Sequence, residues 1–316
     1  MPAAEPPQTI DQPPNGPTPG GSDALAVVGR ALPWIARLSW LLVAVVGGTA
    51  IEAAVDDRSS GVRWVAAIGG WGVFALVALA LVIPAVRSLT ASRVLAPLSL
   101  GAVVATIVGG AGATDVLLLA IPAVISTAAI FTADVGRWMV QSSAYGGERR
   151  LLLRPPVAVG AAAVLAWFVW AATAIIGPLA LGAANLAVGI PLAVIAFVLA
   201  VMIGPRWHKL SRRWFVLVPA GVVLHDPVVM ADTVMIPTAK VANIALARAD
   251  TEAADLTGPA SGYAVEVRSL DTITAVFAFT PKEPNGRAIH MTGFLIAPTR
   301  PGELLRLAGE RGLPVG

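Results

Sequence analysis

Two groups of side chains in this sequence could do chemistry, and both are cationic. The first is Arg206, Lys209, Arg212 and Arg213, set within one short stretch. The second is Arg149, Arg150 and Arg154, gathered with Arg137, Tyr145 and Glu148 in the segment 134–156. Guanidinium forks and an ammonium at this density offer charge-assisted, partly bidentate hydrogen bonds to phosphate or carboxylate oxygens. An anionic lipid headgroup is the ligand that either group would suit. The plainer reading is electrostatic: the first group anchors a helix end and attracts anionic lipid without selecting a headgroup, and the second is a solvated, topology-setting loop.

Reactive chemistry is harder to find. The chain has no Cys, which excludes disulfides, thiolate catalysis and Cys-ligated metals. His208, His225 and His290 stand far apart, without metal-ligand spacing. His208 reads as interfacial and the other two as strand residues. Asp226 is followed by Pro227, a pair that reads as a turn. No glycine-rich phosphate loop follows a strand, and no GxSxG elbow occurs. The expectation is a protein that is not an enzyme, with no cofactor and no metal. Its expected partners are membrane lipids and another membrane or cytoplasmic protein, and no nucleic acid.

The elements that position these groups follow from composition. The chain is 56% hydrophobic and 13% charged, with a mean hydropathy of +0.77. Globular domains carry about 25% charged residues, so this much apolar surface calls for a bilayer as solvent. A helix needs about 20 apolar residues to cross it. Six stretches qualify, at about 34–54, 64–86, 94–112, 115–133, 157–178 and 184–204. The third and fourth are joined by the tight GGAGATD turn, the fifth and sixth by GPLALGAAN.

Lys and Arg near span ends favour the cytoplasm. Arg30, Arg37, Arg87, Arg93, Arg137 and both cationic groups fall on one side, and only Arg58 and Arg63 on the other. Both termini are therefore expected in the cytoplasm of a cell with the chain in its inner membrane. Within the spans only Arg37 and Glu52 are ionisable, both near the ends of the first, which argues against a proton- or sodium-coupled relay. Small residues recur at Pro97, Gly101, Ala105, Gly109 and Ala113, and GGWG occupies 69–72. Both patterns predict close helix packing, and such faces could also support an oligomer. Pro122 and Pro191 predict kinks. The proline-rich start, with no Lys or Arg before Arg30, reads as a disordered tail over residues 1–24 and not as a secretory signal.

After Arg213 the pattern changes. WFVLV (214–218) and VVLHD (222–226) flank the turn PAG, predicting a hairpin. Further strands are expected at 232–236, 240–247, 263–267, 272–279 and 288–297, the last two joined across a turn at Asn285-Gly286. A helix closes the chain in RPGELLRLAGERGL, with Pro301 in its first turn and Gly312 at its end. The expected fold is thus a six-helix transmembrane part followed by a β-rich half-barrel of seven strands capped by a helix. The units are a tail over 1–32, the transmembrane part over 33–205 and a cytoplasmic domain over 206–316. At roughly 105 residues, that last domain is long enough to fold alone.

The opening RRWFVLVPAGVVLHDP, the segment IPTAKVANIALA and the ending RPGELLRLAGERG, in this order of strands and helix, resemble the pleckstrin-homology-like domains of bacterial membrane proteins over about residues 210–316. The resemblance implies an interaction or membrane-proximal scaffold module without catalytic activity. Family members that bind phosphorylated headgroups carry basic residues around the first hairpin turn. Here that turn is Val218-Pro219-Ala220-Gly221 and carries no donor side chain, so a protein-contact role is expected instead. A passive transporter or channel subunit is the alternative, and a lipid-modifying enzyme a weaker one.

Overall fold

A computed structural model describes residues 19–278 and 287–316 of the chain. Nine α-helices and eight strands are formed by the described residues: α1 (Pro19–Val55), α2 (Ser60–Val82), α3 (Val86–Leu95), α4 (Leu98–Val108), α5 (Ala113–Phe131), α6 (Ala133–Gln141), β1 (Arg149–Leu152), α7 (Val157–Gly182), α8 (Leu186–Leu210), β2 (Trp214–Val218), β3 (Gly221–His225), β4 (Val234–Pro237), β5 (Val241–Leu246), β6 (Ala254–Asp255), β7 (Val265–Val276), β8 (Ala288–Ile296) and α9 (Pro301–Glu310). Six helical segments are long and apolar enough to cross a membrane: Val27–Val55, Ser60–Val82, Val86–Val108, Ala113–Phe131, Val157–Gly182 and Leu186–Leu210. The third is built from α3 and α4, broken at Ala96 and Pro97. Because α1 opens at Pro19, residues 19–32 of the expected tail are helical. Residues 1–18 and the expected Asn285-Gly286 turn lie outside the described residues.

Glycines set how closely the helices approach. A Cβ on Gly61 would stand 2.3 Å from the carbonyl oxygen of Gly182, so α2 and α7 meet backbone to backbone. The small-residue stripe packs as expected: Gly101 faces Ile175 of α7, and Gly109 lies against the Ala54 backbone of α1. GGWG does not. Gly69 and Gly72 have open space around them, and only Gly70 faces a neighbour, Ile51. Pro122 and Pro191 lie inside α5 and α8 as expected. Buried hydroxyls of Ser39, Ser92, Thr106, Ser126 and Thr173 donate to carbonyls three or four residues back in their own helices, and that of Ser99 to the Ala96 carbonyl at the α3–α4 break. They satisfy themselves locally.

Arg37 is held by three elements. Its Nε donates to the carbonyl of Leu81 at the end of α2 (3.0 Å), and its guanidinium lies between Trp34 (4.8 Å) and Trp138 of α6 (4.6 Å). An otherwise unpaired C-terminal carbonyl of α2 thereby gains a cationic donor, and the charge gains two aromatic faces.

The C-terminal, sheet-rich region holds two four-stranded sheets, ordered β1-β2-β3-β4 and β5-β7-β8-β6. The β2–β3 hairpin turns at Pro219-Ala220, with Trp214 opposite His225 and Val218 opposite Gly221. Gly221 is required there, because a Cβ would meet the Ile236 carbonyl at 2.0 Å. The expected strands at 263–267 and 272–279 are one strand, β7, with a register shift between Arg268 and Ile273 where it leaves β8. Helix α9 closes the core with Leu304 and Ala308, and Gly312 follows it with φ 71°.

The larger departure is β1. The segment 134–156, expected as a solvated loop, is helix α6 followed by a strand of the first sheet, with Arg149 opposite Leu217 and Leu152 opposite Trp214. Its Leu151 and Leu153 belong to the same buried core as Phe215, Leu224, Ile244, Phe294 and Leu304. The strand's end also reaches the second sheet: Arg154 N donates to Ala297 O (2.8 Å) and Thr299 N to Leu152 O (2.8 Å). The sheet-rich region is therefore completed by residues that precede α7. Residues 206–316 do not contain all of their own core.

Candidate functional site

The seam where helices meet sheets gathers most of the charged side chains singled out above. At its centre Arg213 is 1% exposed and pairs with Asp226 through Nε–Oδ1 (2.8 Å) and Nη2–Oδ2 (2.6 Å). Its Nη1 donates to the Arg154 carbonyl and its Nη2 also to the Thr257 carbonyl. Asp226 further accepts from the backbone N–H groups of Val228 and Val229. Four of the five guanidinium N–H donors and both carboxylate oxygens are thus hydrogen-bonded, the compensation a buried pair needs. Arg213, read from sequence as a lipid contact, is a structural ion. The signal was available: extending the hairpin register one residue beyond Trp214 and His225 sets Arg213 opposite Asp226.

A second belt ties α9 to α6. Asp134, nearly buried, pairs with Arg300, and Arg137 Nη1 lies 2.7 Å from Glu303 Oε1. Arg306 Nη2 approaches the same oxygen at 3.0 Å. Burial alone would raise the Glu303 carboxyl. The hydrogen bonds and charges of Arg306 and Arg137 outweigh burial and hold it below the usual carboxylate range. Gly29 of α1 faces the Asp134 carboxylate, so α1 borders this belt too.

The remaining cations separate. Arg154 donates to the Tyr263 carbonyl and is lowered by burial. Arg150 pairs with Glu148 (3.0 Å) and covers the Trp214 ring at 5.3 Å. Arg149 is exposed at the far end of β1, beside the hairpin turn. There Arg311, which follows α9, donates to the Gly147 carbonyl and lines a depression of about 280 Å³ with Val218, Pro219 and Thr238. The first hairpin turn has no donor of its own, as expected, but the fold brings Arg149 and Arg311 to it. The sequence marked Arg149 as a candidate anion contact but not its place beside this turn, and did not mark Arg311, because both come from other elements. Burial and the nearby Arg149 charge lower Arg311.

On the opposite side of the hairpin, the end of α8 meets α3. Arg206 donates back to the Met202 carbonyl of its own helix. Arg87 of α3, Lys209 of α8 and Arg212 after it are exposed and make no ion pair among the described residues. Two histidines stand among them. His208 Nδ1 is 2.9 Å from Thr90 Oγ1. His225 Nδ1 is 3.0 Å from Thr233 Oγ1, its Nε2 faces Arg212 Nη2 at 3.4 Å, and its ring stacks on Trp214 at 5.3 Å. Arg212 has only donors, so His225 Nε2 faces it as acceptor and Nδ1–H donates to Thr233. Burial, then the charges of Arg212 and Arg150, hold the His225 imidazole below its usual value against the opposing effect of Asp226. His290 lies elsewhere, in β8, bonded to Thr274 (2.9 Å). No family model, curated protein or solved structure matches the chain.

Proposed function

We propose that this is a multi-pass protein of the inner membrane, with both termini cytoplasmic, whose sheet-rich region is a rigid membrane-proximal platform for a protein or lipid partner. The observation that carries this reading is β1, a strand placed between two apolar helices whose Leu151 and Leu153 complete the sheet core. A module built this way cannot swing on a linker; it holds its surface at a fixed height above the helix ends. On this reading the region is a pleckstrin-homology-like scaffold, as the sequence resemblance suggests, and its role is one of binding and not of catalysis. Gly48, Gly69 and Gly72 face open space, which sterically permits a helix of a second copy to approach.

Passive transport is the competing reading, favoured by the prolines inside α5, α7 and α8. Hydroxyls that donate to their own helix backbone weigh against it, since a polar path needs groups turned toward it. Reconstitution of the purified full chain into liposomes separates the two. The platform reading expects ion and small-solute leakage equal to that of empty vesicles, and discrete adducts from photocrosslinkers at Met235 or Tyr263 in native membranes. Saturable flux without such adducts would replace it.

A further inference from the structure

The end of α8 accounts for some of its own cations, since Lys209 and His208 suit the negative end of a helix. It does not account for Arg87, which α3 delivers, or for His225, which β3 delivers. Four elements converge on one exposed face: Arg87 and Thr90 from α3, His208 from α8, Arg212 from the connection, and His225 from β3. Arg87 and Arg212 both lie within electrostatic reach of the His208 ring. Two nearby carboxylates are already engaged, Asp226 by Arg213 and Glu148 by Arg150. Asp232, exposed next to Thr233, makes no ion pair among the described residues and does not figure among the charges acting on either imidazole. The face therefore keeps the uncompensated charge of Arg87 and Arg212, next to the imidazoles of His208 and His225.

We infer that this face binds a phosphate monoester, presented either as the terminal phosphate of a lipid headgroup or in solution. A monoester carries a charge of about −1.5 to −2 near neutral pH and three acceptor oxygens. Those oxygens can take the forks of Arg87 and Arg212 together, whereas a diester offers a single charge. Trp214 backs the face: His225 stacks on its ring, and Arg150 lies over it. This holds the imidazole in place while Thr233 fixes its Nδ1 proton.

The groups bearing on His225 are Arg212 from the connection, Arg150 from β1 and Asp226 from its own strand end; Thr233 contacts it from the β3–β4 connection. A bound anion offsets the arginine charges and favours the imidazolium, whose Nε2–H then becomes a further donor. Because the free imidazole is held below its ordinary value, binding should strengthen as pH falls through and below about 6.5. The inference rests on the membrane-proximal reading of the seam. A correct topology with no monoester binding would defeat it alone.

The test is native mass spectrometry of the detergent-solubilised full chain, titrated with phosphatidic acid and, separately, with phosphatidylglycerol. Phosphatidic acid should bind more tightly, and Arg212→Gln or Arg87→Gln should each weaken it about fivefold, the effect of one interfacial cation. Arg212→Lys should recover part of the loss, and Arg248→Gln, at an exposed pair with Asp250, should change nothing. His225→Gln should reduce the pH dependence, leaving the part due to His208 and to the monoester's own second ionisation near pH ~6, with the thermal unfolding of the ligand-free protein nearly unchanged. Inorganic phosphate that displaces phosphatidic acid at millimolar concentration assigns the site to soluble monoesters; resistance to it assigns the site to lipid. Equal affinity for the two lipids, or indifference to both arginine substitutions in a folded protein, would overturn the inference.

Discussion

Arg213 and Asp226 meet at 2.6 Å with neither side chain more than 1% exposed, and the strand that follows Arg213 begins directly after it. The pair therefore sits where the chain passes from helix to sheet, and it anchors the Arg154 and Thr257 carbonyls as well. Removing one partner strands the other without water. We expect Asp226→Ala or Arg213→Ala to cost about 3–5 kcal/mol. A matched apolar pair, Arg213→Met with Asp226→Leu, should lose much less. Thermal unfolding of the four proteins in one detergent checks this, and additive single losses would contradict it.

The sheet-rich region should not fold from its own sequence alone. A fragment from Arg212 to Gly316 has the length of a domain, but it lacks Leu151 and Leu153 and leaves the β2 edge unpaired. We expect it to aggregate. Fusing residues 148–154 ahead of Arg212 through a flexible linker should give a soluble, β-rich product by circular dichroism. A well-folded monomer from the shorter fragment would show that β1 is dispensable.

Why β1 escapes the sequence is physical. RRLL is four residues long, half of it charged, and its partner strand lies beyond two apolar helices. No local periodicity marks a pairing that is decided by tertiary contact. The β2–β3 hairpin was legible because Trp214–Val218 and Gly221–His225 flank a two-residue turn. Two strands, 263–267 and 272–279, are expected because Arg268, Ser269 and Asp271 interrupt the alternation where the register against β8 shifts, yet the backbone stays extended as one strand. Arg212 and Arg213 show the same limit at the site. They are identical neighbours in sequence, and the fold exposes one and buries the other beside Asp226.

The belt between α6 and α9 predicts a pH dependence. Glu303 is held below its usual value by Arg306 and Arg137 despite partial burial. Its ionised form therefore favours the folded state. That contribution is complete above the ordinary carboxylate value of about 4.3 and is lost as pH falls through the lower folded value. The side chain is a quarter exposed, so screening limits the contribution to about 1 kcal/mol or less. Glu303→Gln should lower the unfolding temperature slightly at pH 7, and the gap from the native protein should close below pH 4. A gap that widened on acidification would reverse the sign assigned to this carboxylate.

The helical half makes its own prediction at Gly61. A methyl group there would press on the Gly182 carbonyl, which neither backbone can avoid without parting α2 from α7. Gly61→Ala should cost about 1–3 kcal/mol by overpacking. Gly69→Ala, one helix face away and facing open space, should be neutral or slightly stabilising. Thermal unfolding of both variants in the same micelle checks the contrast; equal losses would mean that the close approach of α2 to α7 is not tight.

Topology can be tested cleanly because there is no native Cys to interfere. The basic side chains crowd one end of the six apolar helices, at the seam with the sheets, while Asp56, Asp57, Arg58 and Arg63 lie about the α1–α2 turn at the other. Lys and Arg near span ends favour the cytoplasm, so the sheets should lie inside the cell and that turn outside. Asp57, Thr114 and Ala183 are exposed at the outer turns, and Ser261 is exposed on the sheet side. Single cysteines at the first three should react with a membrane-impermeant maleimide in intact cells. Ala183 is chosen over its neighbour Gly182, where any side chain would collide with Gly61. A cysteine at Ser261, or at the partly covered Ser143, should react only after lysis. Labelling at Ser261 in intact cells would invert the orientation, and with it the cytoplasmic platform.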